Sequence, residues 1–139
     1  MALKKLITEA VNSSGVGIDG LKEAVIPLVA VAATDTLYGF LARTDTYIES
    51  IYVLSETASP NWTIDVQNLG TTGAGTTSLL SGGAYDLNNL SALVAGSIGV
   101  NQNRVMAVGE SLAFILTRTG DTLNGAIHIR YRASLGKGS

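Results

Sequence analysis

Apolar and polar side chains alternate most clearly in three stretches of this chain. In Trp62-Thr-Ile-Asp-Val-Gln67 the side chains of Trp62, Ile64 and Val66 point one way and those of Thr63, Asp65 and Gln67 the other. That two-residue period is the mark of a half-buried β-strand. It recurs in Ser111-Leu-Ala-Phe-Ile-Leu-Thr-Arg118, with Leu112, Phe114 and Leu116 on one face and Ala113, Ile115 and Thr117 on the other. In Gly125-Ala-Ile-His-Ile-Arg-Tyr-Arg132 it turns Ile127, Ile129 and Tyr131 inward and His128, Arg130 and Arg132 outward. Thr119-Gly-Asp-Thr-Leu-Asn124 is read as the turn joining these last two strands. Further strands are predicted over 24–33, 36–42, 47–55 and 104–108. Pro27 assigns the first of them to a sheet edge or a strand start, because proline cannot donate to a ladder. The stretch 70–77, Gly-Thr-Thr-Gly-Ala-Gly-Thr-Thr, has no period and reads as a loop; 79–93 is the weakest region. Roughly seven or eight short strands, each about 10 residues from the next, predict an all-β fold, an antiparallel jelly-roll-like β-sandwich. Trp62, Ile64, Val66, Phe114, Leu116, Ile127 and Ile129 are its predicted core.

Residues 1–22 are set apart as an N-terminal arm, 23–134 as the sandwich domain, and 135–139 as a flexible C-terminal tail. Within the arm, Leu3, Leu6, Ile7 and Ala10 recur at helical spacing, so residues 2–11 can form a short amphipathic helix. Asn12-Ser-Ser-Gly15, then Gly17 and Gly20, end it. A helix this short is marginal alone and needs a surface to lie on. The basic pair Lys4-Lys5 is not followed by a signal-peptide core, because Thr8, Glu9 and Asn12 interrupt the apolar run. The longest apolar run, 24–33, holds Pro27 and is far short of the about 20 residues of a membrane-spanning helix. No membrane partner is expected, and synthesis in a cytoplasm is.

Composition narrows the function further. The 139 residues suit one domain. Nine basic and eleven acidic side chains give a net charge of -2, which lacks the cationic footprint of a nucleic-acid binder. There is no cysteine, hence no disulfide, thiolate nucleophile or cysteine-held metal. Only 14% of residues are charged, against roughly 25% in an ordinary soluble domain, and surfaces so poor in charge are commonly hidden in assemblies.

Candidate chemistry is sparse. His128 is the only histidine, lies on the polar face of a strand, and is read as a surface or interface residue. The aspartates are scattered, without calcium-loop spacing. Gly15-x-Gly17-x-x-Gly20 matches a dinucleotide fingerprint by letter, but no strand precedes it. The glycines at 70, 73 and 75 lack the ending of a phosphate loop. Neither a catalytic residue nor a cofactor, metal or small-molecule substrate is expected. Arg104, Arg118, Arg130 and Arg132 are concentrated late in the chain, and an intersubunit surface meeting carboxylates of a neighbour would use them. The expected interface residues are Leu3, Leu6, Ile7, Arg118, His128, Arg130 and Arg132.

The segment from Val108-Gly-Glu-Ser-Leu-Ala-Phe-Ile-Leu-Thr through Gly125-Ala-Ile-His-Ile-Arg-Tyr-Arg132 resembles the closing hairpin of jelly-roll domains in tailed-bacteriophage virion proteins. The run Asp35-Thr-Leu-Tyr-Gly-Phe-Leu-Ala42, with Thr46-Tyr-Ile-Glu-Ser-Ile-Tyr-Val-Leu-Ser-Glu56 and Trp62-Thr-Ile-Asp-Val66, is similar to the opening strands of small head-decoration (cement) proteins. The resemblance spans roughly residues 24–133 and implies a non-enzymatic protein of the virion's capsid surface. It would act as a homotrimer on the major capsid protein and strengthen the head by bridging capsid subunits, with the arm lying across neighbours. A tail-fibre or other virion component, binding a receptor or carbohydrate through Tyr85-Asp86 or Pro60-Asn61-Trp62, is the alternative.

Overall fold

The computed structural model describes residues 20–134. The proposed arm, apart from its last three residues, and the proposed tail lie outside them. Two antiparallel sheets pack face to face. The strands are β1 (Lys22–Val31), β2 (Asp35–Leu41), β3 (Thr46–Ser55), β4 (Trp62–Gly70), β5 (Thr77–Ser78), β6 (Tyr85–Asp86), β7 (Gly96–Ser97), β8 (Val105–Met106), β9 (Ser111–Arg118) and β10 (Leu123–Ala133). One sheet runs β1-β10-β3-β7, with β8 also on β3; the other runs β2-β9-β4-β5, with β6 also on β4. Among the described strands the first therefore pairs with the last, and the second with the next to last.

The predicted core is the observed one. Trp62, Ile64, Val66, Phe114, Leu116, Ile127 and Ile129 are all at most 1% exposed. Burial strictly alternates from Trp62 to Asn68, as the sequence period requires. The Trp62 indole N–H also donates to the Asp121 carbonyl at 2.7 Å, so the largest core side chain is satisfied at its polar end.

The reading of 111–132 as a hairpin is corrected. β9 and β10 belong to opposite sheets, and residues 119–122 carry the chain over one end of the sandwich. This crossing is fastened to the start of β4: the Thr119 N–H and hydroxyl both donate to the Asn61 carbonyl. Alternation sets which face of a strand is buried, but both sheets bury a face against the same core. It therefore leaves open which sheet a strand joins.

The weak region is held by burial rather than by period. Leu79, Leu80, Leu87, Leu90, Ile98 and Val100 are buried. They hang from two-residue strands and a single 3-10 turn at Leu87–Asn89, which the Asp86 carboxylate caps by accepting the Asn88 N–H at 2.9 Å.

Among the described residues β1 and β2 are edge strands, one in each sheet, and lie along the same side of the sandwich. Pro27 does sit on an edge. Val29 and Ala30 bulge out of register there, and the Ala30 N–H is taken up by Asn124 Oδ1 at 2.8 Å. Bulges of this kind blunt an edge against casual pairing.

Candidate functional site

β10 runs between β1 and β3, so its outward side chains have neighbours on both flanks. His128 stands opposite Val25 on β1 and Tyr52 on β3; Arg130 stands opposite Glu23 and Ser50. A bulge on β3 makes Ile48 and Ile51, three residues apart, both core residues. It adds Glu49 beside Ser50 between them, where a regular strand would have a single position.

The result is a ladder of cations over aromatic rings. The Arg130 guanidinium lies 5.1 Å from the centroid of Tyr52. Arg132 and Arg104 approach the Tyr47 ring at 4.9 and 5.8 Å. The Arg104 Nη1 donates to the Tyr47 hydroxyl at 3.1 Å and its Nη2 to the Val100 carbonyl, which fixes its direction. Glu23 meets two side chains of β10, with Oε2 3.2 Å from His128 Nδ1 and 3.9 Å from Arg130 Nε. Glu49 Oε1 lies 3.6 Å from Arg132 Nη2; the oxygen is screened from solvent and accepts no hydrogen bond among the described residues. Glu23, Tyr52, Ala95, His128 and Arg130 together line a shallow concavity of about 300 Å³.

Three guanidinium groups and a histidine thus face two carboxylates on one sheet, in a chain whose net charge is -2. Stacking on tyrosine holds the guanidinium planes in place while leaving donors open, which suits carboxylate recognition. Arg130 and Arg132 remain about half exposed, so their remaining donors are within reach of a partner.

Of the expected interface residues, His128, Arg130 and Arg132 come together here. Arg118 does not: it ends β9 in the other sheet and donates to the carbonyls of Ala32 and Gly120. With the Arg118 N–H taken by Thr34 Oγ1 at 3.0 Å, it binds the β1–β2 link to the sandwich end. Leu3, Leu6 and Ile7 lie outside the described residues. Sequence reasoning missed Glu23, Glu49, Tyr47 and Tyr52 as partners. Tyrosines spaced across a strand with late arginines were the available signal, but the bulge at Glu49 breaks the alternation that would have put them on one face.

Other candidates have structural occupations. Trp62 is 1% exposed and Pro60 is buried, so neither offers the open ring face that sugars stack on. The glycine loop folds back on β4: the Gly75 N–H donates to the Leu69 carbonyl, and a Cβ on Gly75 would stand 2.6 Å from the Asn68 carbonyl oxygen. Among the described residues no three of His, Asp or Glu are grouped to hold a metal, and no helix is long and apolar enough to cross a membrane. Compared with known proteins, the chain matches no family model, no curated protein and no solved structure.

Proposed function

We propose that this chain is a non-enzymatic virion structural protein, a capsid decoration protein that stabilises a tailed-phage head by bridging subunits of the major capsid protein. In this reading it is made in the host cytoplasm, acts as a homotrimer and ends on the capsid surface. The order of the described strands, first paired with last and second with next to last, supports the jelly-roll-like sandwich that the sequence resemblance implies.

The observation that carries the reading is the arginine–tyrosine face of β10 and β3. Tyrosine and arginine are the side chains that most often anchor protein interfaces. On this face the His128 ring lies against the carboxylate of Glu23, with Nδ1 3.2 Å from Oε2. The face recognises surface and performs no chemical step. Its partner is a protein surface rich in carboxylates, and weak contacts become firm when a trimer engages several capsid subunits at once.

The test mixes the purified full chain with heads assembled from the major capsid protein of the phage that encodes it. Co-sedimentation that saturates at a fixed ratio, with a trimeric mass by light scattering, is the expected result. Heads that bind none of the chain would overturn the proposal. A monomer that still binds saturably would remove only the trimer.

A further inference from the structure

Five of the eight large apolar side chains exposed among the described residues lie on or next to the two edge strands: Val29 and Leu41 line the space between those strands, Leu21 precedes β1, Tyr38 is on β2, and Val25 stands on the outward face beside His128. They belong to the approach to β1, to β1 itself and to β2, the two edge strands. Between these strands the sheets part into two grooves. One, of about 480 Å³, is lined by Pro27, Val29, Val31, Leu37 and their neighbours. The other, of about 470 Å³, has Ala24, Phe40 and Tyr131 in its lining, with the Phe40 and Tyr131 rings edge to face at 4.9 Å. Gly39 separates them: a Cβ there would stand 2.6 Å from Ile26 Cδ1, so the strands touch at that point and no further strand fits between.

From 24 to 31 on β1 and from 36 to 41 on β2 there is no charged side chain. An apolar strip of this length on a soluble domain marks a covered surface. We propose that residues 2–11 of the same chain cover it, with Leu3, Leu6, Ile7 and Ala10 against the grooves.

Three observations select this occupant. The 19 residues before Gly20 join the domain at Leu21, on the strip itself. Asn12-Ser-Ser-Gly15, Gly17 and Gly20 supply the turn residues for a reversal, and eight linking residues reach up to about 26 Å. The charges also match in direction. Lys22 and Arg43 border the groove beside the junction, and Asp35 lies at the far end of β2. A reversed segment brings Glu9 toward the two cations and carries Lys4 and Lys5 toward the aspartate. This placement replaces the reach across neighbours implied by the family resemblance, and it stands apart from the capsid reading.

Two measurements on the full chain test it. Trypsin cleavage after Lys4 and Lys5 in the wild type should be about tenfold slower than in a variant carrying Leu6→Ser and Ile7→Ser, since cleavage follows the population of the open form. Equal rates overturn the proposal. The chain has no cysteine, so Ile7→Cys with Leu41→Cys gives one defined pair for a short flexible bismaleimide. A link within one chain is expected. A link only between chains assigns the strip to the segment of a second copy and overturns it, as does the absence of any link.

Discussion

A Cβ added at Gly125 would lie 1.8 Å from the Leu54 carbonyl oxygen, and the backbone there has a φ of +153°. No side-chain movement relieves a collision with backbone, and an L side chain resists that φ. Gly125→Ala should therefore cost at least about 2 kcal/mol, the sum of strain and overpacking. Urea denaturation would read it, and an unchanged midpoint would refute the close approach of β10 and β3. Trp62 makes a second residue-scale prediction. Trp62→Phe leaves a void in the core and removes the donor to Asp121, which together should cost about 1–3 kcal/mol. Thermal unfolding is the measurement, and a melting temperature equal to the wild type's would deny Trp62 its place between core and crossing.

Elements are where the sequence was legible in part. Trp62–Gly70, Ser111–Arg118 and Leu123–Ala133 were readable because large apolar residues recur at every second position on the core side of each, although Ala113, on the other side of its strand, is covered as well. The sheet each one joins was not, since a local period carries no information about the partner. The β3 bulge and the two-residue strands between 77 and 97 were also hidden: a bulge breaks the period, and a two-residue strand is too short to show one. Half of the candidate face was legible, the arginines and histidine of β10, because they alternate with isoleucines. Arg118 looked equivalent by composition, yet it clamps the β1–β2 link to the 119–122 crossing. Arg118→Ala should accordingly speed amide exchange around residues 32–34 and 119–121 while lowering global stability by no more than about 1 kcal/mol. Uniform exchange across the domain, or loss of capsid binding with normal exchange, would show that Arg118 belongs to the interface after all.

For the whole molecule, the groups that stabilise the fold and those of the proposed recognition face are different. The core is a closed set of apolar side chains between the sheets, whereas the arginine–tyrosine ladder is half exposed and outside it. Exposed ion pairs of this kind contribute about 0–1 kcal/mol to folding, so changing them should leave the sandwich intact. Binding should respond in two distinguishable ways. A variant carrying Arg130→Glu and Arg132→Glu places like charges beside Glu23 and Glu49 and repels a carboxylate-rich partner. Its affinity for capsid heads should fall by well over tenfold, about 1.4 kcal/mol or more, while the sandwich stays folded and loses about 1–2 kcal/mol to the repulsion with Glu23 and Glu49. The milder Arg130→Lys and Arg132→Lys variant keeps the charge but loses the planar fork and much of its stacking on Tyr47 and Tyr52. It should lie between the two, with the wild type's sensitivity to salt and a faster dissociation. If lysine restored full affinity, the face would act only as a diffuse positive charge, and the fixed geometry of the tyrosines would have no part in recognition. If neither variant altered binding, the ladder would be a solvated sheet face, and the proposed contact with the capsid would have to lie elsewhere on the molecule.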